Sequence, residues 1–462
     1  MLLKSKVGEK RRVVVFGTGL YYQNRKRDLE KENIIAFLDN SLEKQGTFLD
    51  SVPVYHPAEV VKMEFDLIIL MLQFIDDVYQ QLTDIGIEKE KILTYTQYQD
   101  LFENKCLMIN SNMTFYNQEK SVLLVSHELS NTGAPIVLLY LAEVLRKNGY
   151  CPVIACKKDG ELKENIISMG IPVVIASNMN KSNKFVWEWI NSFDLVVLNT
   201  LCLGNLVEEL RDSRQRIFWW LHEAENEYEM CGEESLPKDI GNNISVFAVG
   251  DRAVSAYKEY IGSERVSSLL YGLPDFRSGL PQKKHGKLVF AIIGTIMGRK
   301  GHDIFADAIQ YLAEEDRKSA EFWIIGRVVE SDIYNHVIAM AEEYEEIKIL
   351  GSLSPQKMQT IYEEIDVVVS PSRMDPMPVV LTEGMMNSKV CIASEMTGTA
   401  TLISNKESGL ICKLDALDLA EQMTWILNHR EKLEEIGENA RAIYEQKFSM
   451  SAFEKNILRI LE

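Results

Sequence analysis

Short unbroken runs of Val, Ile, Leu and Phe recur along the chain, each followed by a stretch whose apolar residues return at helical spacing. Unbroken runs mark strands buried on both faces, and the 3.6-residue period marks helices laid against them. The alternation therefore predicts α/β units on parallel sheets. Three blocks carry the rhythm. In the first (1–105), "RRVVVFGTGLYYQ" predicts a strand, a turn at Gly17-Thr18-Gly19 and a helix. "NIIAFLDN", ending at Asp39, "FDLIIL" and "KILTY" predict further strands. The polar stretches "TQYQDLFENK" and "NSNMTFYNQEK" read as a connector, with the linker proper at 106–119.

The second block (120–280) opens with "SVLLVSHELSNTGAPIVLLYLAEVLRKNGYCPVIAC", a strand, a loop and a helix entered at Pro135, whose missing N–H suits a first helical position. "IPVVIAS", "FDLVVLNT", "QRIFWWLH" and "ISVFAVG" predict its remaining strands. "YGLPDFRSGLPQKKHGK" then reads as a hinge across 275–287. The third block (281–440) repeats the pattern with "KLVFAIIG", "AEFWIIG", "EIKILG", "IDVVVSPS", "KVCIAS" and "GLICKL". A last helical segment (441–462) is expected to pack back on the second block. Two α/β domains in succession make the cleft between them the default ligand site.

The 462 residues are 46% hydrophobic and 26% charged, ordinary for a globular protein of about three domains. The formal net charge of −18 argues against a nucleic-acid partner, because phosphate backbones are held by summed Lys and Arg. Seven cysteines without a CxxC pair read as reduced, packed thiols of a cytoplasmic protein. No apolar run reaches the length of a spanning helix. A local patch would still allow attachment to the inner face of a membrane.

Candidate chemistry sits in the third block. In "GTIMGRKGH" a glycine turn follows a strand, so backbone N–H groups and a helix N-terminus would meet an anion, with Arg299 and Lys300 adding charge-assisted bonds. An ordinary βα turn with solvated cations is the alternative for this stretch alone. Further on, "SPSRMDPMPVVLTEG" places Asp375 in a Pro-rich loop and Glu383 at the start of a helix, where a carboxylate accepts bonds from vicinal hydroxyls or stabilises the helix end.

In combination these stretches resemble the retaining GT-B glycosyltransferases of family 4 (glycosyl transferases group 1) over about residues 120–450. That family carries a G-x5-K-G corner, here Gly294 to Gly301, an acid-x7-Glu motif, here Asp375 to Glu383, and a glycine loop after the first N-domain strand, here "SNTGAP" with Gly133. The resemblance implies a GT-B fold: two Rossmann-like domains facing a cleft, the acceptor domain first and the nucleotide-sugar domain second. Lys300 and Arg299 would neutralise the donor diphosphate, and Gly294, Thr295 and Gly301 would shape the corner. Glu383 would bind ribose, while Asp375 and the backbone of Pro376, Met377, Pro378 and Val379 would face sugar or phosphate. Gly133 would approach the diphosphate from the other lobe, and Gly351, Ser352 and Leu353 would cup the base. His222 in "FWWLHEAENEYE" resembles the family's cleft histidine, with Glu223 positioning it or the acceptor. Thr295 stands where many members have Arg, and Asp375 where Glu is usual.

The resemblance also implies retention of configuration and a metal-independent reaction without a bound cofactor. The acceptor would be a glycan or a lipid-linked glycan, in bacterial surface polysaccharide or glycoconjugate synthesis. His127 and Glu128 are expected to face the cleft, Asn131 to cap the following turn, and His302 to meet solvent or cap its helix. The first block resembles small Rossmann-like modules of bacterial sugar-modifying enzymes. Its third fingerprint glycine is replaced by Tyr22, so a vestigial nucleotide site, or docking to a protein partner or another copy, is expected. An inactive transferase-like subunit and a nucleotide-sugar epimerase of the same two-domain plan stay open.

Overall fold

The computed structural model describes residues 10–72, 75–102, 106–109, 120–176, 190, 192–232, 236–237, 239–277 and 286–462. One compact unit comprises Met1–Cys106 with Ala176–Asn178, and a larger one Leu107–Ile175 with Met179–Glu462. The smaller unit holds a six-stranded sheet of β1 (Arg12–Phe16), β2 (Asn33–Leu38), β3 (Phe48–Leu49), β4 (Val52–Tyr55), β5 (Leu67–Leu70) and β6 (Ile92–Thr94). The order is β3-β4-β2-β1-β5-β6, parallel except for the β3–β4 pair. Val13 and Val15 pack on one face with Tyr22 and Phe37, and Val14 and Phe16 on the other with Ile68 and Leu82, which is why these strands read as unbroken apolar runs.

The β3–β4 hairpin departs from the expected pattern. Its turn residues Asp50 and Ser51 hold φ of 48° and 67°, the left-handed pair of a tight hairpin, without the Asn-Gly signal that announces one. The expected connector is also more ordered at its start. Tyr95–Phe102 is helix, and Cys106–Ile109 is β7 on the edge of the next sheet, since four apolar residues suffice for an edge strand. Residues 110–119 of the expected linker lie outside the described residues.

The larger unit has two lobes. The first is an eight-stranded sheet of β7, β8 (Ser121–Ser126), β9 (Cys151–Cys156), β10 (Val173–Ala176), β11 (Leu195–Asn199), β12 (Arg216–Leu221), β13 (Ile244–Ala248) and β14 (Val266–Ser268). Its order is β14-β13-β12-β11-β8-β9-β10-β7. The second is a six-stranded sheet of β15 (Leu288–Ile293), β16 (Ala320–Ile325), β17 (Ile347–Gly351), β18 (Val367–Ser370), β19 (Val390–Ser394) and β20 (Leu410–Cys412) in the order β17-β16-β15-β18-β19-β20. Both orders reverse beside the first long strand of the lobe, between β8 and β11 and between β15 and β18. In doubly wound sheets ligands bind outside the carboxyl ends of strands at such a reversal. The second lobe's core joins strand residues such as Phe290, Phe322 and Val369 to Phe305 and Met423 from the covering helices.

The C-terminal segment was expected to begin at 441, inside what proves to be the helix Leu433–Ile443. The break comes at Tyr444–Phe448, a single wide helical turn, and Ser449 then caps the helix Met450–Leu461 through the Ala452 N–H at 3.2 Å. That helix lies on the first lobe. Phe453 stacks on Trp220 at 5.8 Å, Arg216 donates to the Leu461 carbonyl at 2.9 Å, and Lys147 and Asn148 bind Glu454 at 2.6 and 2.8 Å. Gly272 has no side chain because a Cβ there would sit 2.7 Å from Phe453. Of the hinge expected at 275–287, residues 278–285 lie outside the described residues. Among the described residues no helix is long and apolar enough to cross a membrane.

Phe453 is fully buried, so Phe453→Ala removes a ring that nothing else fills. Denaturant unfolding is expected to register a loss of about 3–5 kcal/mol for the larger unit. A loss below about 1 kcal/mol would show that this helix does not hold the lobe.

Candidate functional site

The Gly294–Gly301 corner is a bent loop between β15 and the helix His302–Gln310. Gly294 leaves the strand with φ 144°, Ile296 bridges to Val328, and Gly298–Lys300 make a tight helical turn. Gly301 closes the loop in the left-handed region at φ 76°, and a Cβ there would lie 2.1 Å from the Pro371 carbonyl oxygen, so only glycine fits. Thr295, at the outer bend, is half-buried.

The loop after β18 meets this corner from the other side of the reversal. Lys300 Nζ forms an ion pair with Asp375 Oδ2. Arg299 Nη1 donates to the Met374 carbonyl at 2.9 Å and lies 4.0 Å from Asp375 Oδ2. Asp375 is 6% exposed, and a carboxylate so buried requires such cations. Its carbonyl accepts the Gly398 N–H at 3.0 Å. Pro376, Met377 and Pro378 are buried, and Val379 begins the helix Val379–Met386.

Glu383 was expected at the start of that helix. It sits in the second turn, too far along to serve the helix end, and the first turn carries no acid. Its Oε2 accepts the Tyr362 hydroxyl at 2.5 Å. Burial raises its pKa, against the pull of that bond. Tyr140, from the first lobe, is pushed up to about 12 by burial and then by the Glu383 charge. The spacing explains the meeting: Gly133 and Tyr140 share one face of the helix Gly133–Lys147, Val379 and Glu383 share one face of theirs, and a Cβ on Gly133 would touch Val379 at 3.6 Å. Pro135 lies in the first turn of its helix as the third residue, where its missing N–H costs nothing.

The lobes also touch elsewhere. Arg252 donates to the Met396 carbonyl at 2.6 Å, the Asn226 N–H meets the Met374 sulfur at 3.2 Å, and a Cβ on Gly250 would lie 2.5 Å from the Met377 methyl. Gly351, Ser352 and Leu353 lie at and just beyond the carboxyl end of β17. Gly351 has φ 68° and accepts the Gly326 N–H at 3.0 Å.

In the first lobe, His222 stands just past β12 and Asn199 ends β11. Asn199 Oδ1 bonds His222 Nε2 at 2.9 Å, and its amide donates to the Ala134 carbonyl at 2.9 Å. Asn199 thus links the histidine to the glycine-loop helix. It was missed in the sequence, where its only signal is a polar residue closing the apolar run "FDLVVLN". Thr200 follows with φ 97°, strain held in place by its N–H to Trp220 and by the Trp219 indole on its carbonyl at 2.9 Å. The hydrogen bonds and ring contact of His222 are with Asn199, Glu223 and Trp220 of its own lobe.

Burial, then the neighbouring His127, pushes the His222 pKa down to about 3, so its imidazole is neutral near pH 7. Burial pushes Glu223 up to about 7, although backbone N–H groups of His222 and Leu201 favour its charged form. His127 follows β8, and burial lowers its pKa against the Glu128 carboxylate 3.6 Å away. Glu128 accepts the Ser130 and Thr132 hydroxyls at 2.5 and 3.1 Å. Two other expectations change. Asn131 caps nothing and donates to Glu161 at 2.8 Å. His302 is fully buried, with neither ring nitrogen in a well-aligned bond, and burial lowers its pKa to about 4; the Gly301 contact with Pro371 draws the start of its helix inward.

In the smaller unit, Asp39 accepts from Thr18, the Ser41 N–H and Lys44. Burial would raise its pKa, but these bonds outweigh it and the pKa falls. Tyr22 fills the place of the third fingerprint glycine, buried edge-on against Phe37 at 4.8 Å. Among the described residues, no three His, Cys, Asp or Glu side chains cluster as a metal site.

Family models match all three regions: "Glycosyl transferases group 1" over 278–443, "Glycosyl-transferase family 4" over 118–238 and "C2185-like, N-terminal" over 9–93. An uncharacterized glycosyltransferase, MJ1178, of Methanocaldococcus jannaschii is 25% identical over 197 residues, 42% of this chain and 50% of that protein. The D-rhamnosyltransferase WbpZ of Pseudomonas aeruginosa is 26% identical over 222 residues, 43% and 56% of the two chains. The chain thus spans about half the length of the curated relatives it matches. Among solved structures, Anabaena Alr3699/HepE in complex with UDP and glucose aligns with a TM-score of 0.64 at 17% identity, over 74% of this chain and 99% of that one. The larger unit has the GT-B fold of glycosyltransferases, and each of its lobes matches a glycosyltransferase family model.

The Glu223 shift has a testable sign. An acid with a raised folded-state pKa binds more protons folded than unfolded, so stability falls as pH rises from about 4.5 to about 7. Glu223→Gln is expected to match wild type at pH 4 and to exceed it at pH 8, by at most about 3 kcal/mol. Parallel melting curves across that range would dismiss the raised pKa.

Proposed function

We propose that this chain is a retaining glycosyltransferase that moves a sugar from a nucleoside-diphosphate donor to a hydroxyl of a glycan or lipid-linked glycan. The observation that carries this reading is the convergence of Lys300 and Arg299 on Asp375 at the β15/β18 reversal, with Gly133 of the opposite lobe beside Val379. The donor's diphosphate would enter between the corner loop and the helix Val379–Met386 and share Lys300 and Arg299 with the Asp375 carboxylate, which stays paired. As the glycosidic bond stretches, negative charge gathers on the leaving diphosphate. Fixed cations and amides there favour the transition state over the ground state. These two cations supply the charge that a divalent metal would otherwise bring, so the reaction is proposed to be metal-independent.

Glu383, in the second turn of its helix, would accept the ribose hydroxyls in place of Tyr362. Gly351, Ser352 and Leu353 would border the base. A neutral His222, held by Asn199, offers the sugar a hydrogen-bonding ring without a competing charge. The ring nitrogen in hand is already bonded to Asn199, so the sugar would meet the other one. Departing phosphate oxygen would take the acceptor proton on the same face, giving retention. The Anabaena neighbour's complex with UDP and glucose supports a nucleotide-sugar donor, and the D-rhamnosyltransferase relative supports sugar transfer; a role in bacterial glycoconjugate synthesis is part of the proposal.

Incubation with a panel of nucleotide sugars and saccharide acceptors, read by mass spectrometry and by NMR of the new anomeric centre, tests the proposal. Lys300→Ala is expected to lower kcat/KM by about 100- to 1,000-fold with the fold intact. Near wild-type turnover by that variant would remove Lys300 from the site, and an inverted product would overturn retention. Donor binding without turnover would point instead to a transferase-like binding subunit.

A further inference from the structure

Arg373, in the loop after β18, bonds two backbone carbonyls of the corner. Its N–H donates to the Arg299 carbonyl at 2.9 Å, and Nη1 donates to the Gly298 carbonyl. The same guanidinium forks onto Asp303, Nη1 to Oδ1 at 2.8 Å and Nη2 to Oδ2 at 2.6 Å. Asp303 stands in the first turn of the helix His302–Gln310, directly after the corner. The preceding peptide is held as well, the Gly298 N–H donating to Glu330 at 2.9 Å. The turn carrying Arg299 and Lys300 is therefore gripped from the opposite loop, from the helix that follows and from the next strand's loop.

We propose that Arg373 is a positioning residue for the corner, clamping the Gly298–Arg299 segment so that Lys300 and Arg299 present their charges at the β15/β18 reversal. This rests on the donor reading given above. A planar fork with fixed donors can hold a carboxylate and a backbone carbonyl at once, whereas a lysine offers one point charge. The pairing with Asp303 also offsets the Arg373 charge, which leaves Lys300 and Arg299 to meet the anion. Displacing a reacting group by about 1 Å costs up to about 100-fold in rate, so the clamp matters without touching substrate.

The test is a double-mutant cycle between two side chains that bond different partners, Lys300 to Asp375 and Arg373 to Gly298 and Asp303. Arg373→Lys, Lys300→Ala and the double variant are assayed with the donor that the nucleotide-sugar screen identifies, alongside calorimetric binding of inorganic pyrophosphate. Arg373→Lys is expected to lose roughly 10- to 100-fold in kcat/KM, mostly in kcat. Lys300→Ala should then cost several-fold less in that background than in wild type, because a misaimed lysine has less to lose. Asp303→Asn, which weakens the fork from its other end, should reproduce the pattern and serves if Arg373→Lys melts early. Equal costs of Lys300→Ala in both backgrounds, or a loss under twofold, overturn the clamp while the donor reading stands. A wild-type protein that binds neither pyrophosphate nor any nucleoside diphosphate overturns both.

Discussion

A carboxylate removed from water must find a cation, and Asp375 finds one across a gap in the strand order. β15 and β18 are neighbours whose connections leave in opposite directions, so their loops diverge and a crevice opens between them. Asp375 sits in one loop and Lys300 in the other, and their ion pair ties the crevice's walls together. Breaking such a pair leaves a buried charge without compensation, which is why these loops hold one arrangement. The remaining features of the second lobe follow from it: Gly301 must be bare to let the corner approach Pro371, and Gly398 must be bare because a Cβ there would lie 1.8 Å from the Pro376 carbonyl oxygen.

The first lobe meets this crevice with little charge and much shape. Gly133 and Gly250 bring their backbones against Val379 and Met377, and Arg252 reaches the Met396 carbonyl. A hydrogen-bonded chain runs from Ala134 through Asn199 to His222, so the glycine loop and the histidine are positioned as one piece. The strained Thr200 backbone and the raised pKa of Glu223 both lie within that piece. Local strain and a displaced carboxyl pKa cost stability, and such costs concentrate where a protein holds groups ready for a ligand.

The smaller unit carries a glycine turn of its own. Its glycine turn follows β1, yet Asp39 is already bonded by Thr18, Ser41 and Lys44, and Tyr22 occupies the space a third glycine would leave open. A ribose would have to displace three donors to reach that carboxylate. Leu20, Leu42 and Phe48 remain exposed on this unit.

Strand identity was legible in nearly every case, because strands buried on both faces must be unbroken apolar runs and these sequences contain little else. The short β3 and β4 escaped, since two- and four-residue strands around an Asp-Ser turn carry no periodic signal. The glycine, lysine and acid positions of the candidate site were legible as well, for glycine marks backbone constraint and charge marks chemistry wherever they interrupt an apolar pattern. The roles of Asn199, Arg373 and Tyr140, the second-turn place of Glu383 and the burial of His302 were not. Most depend on which strand lies beside which, and a sequence carries no record of which distant residues become neighbours, such as Arg373 and Asp303, 70 positions apart. Local composition by itself determined the elements, their order and the reactive side chains, because those follow from period, volume and charge. Only the tertiary structure decided which side chains share a crevice and which carboxylate each cation serves, because those follow from the reversal of strand order and the packing of one lobe against the other.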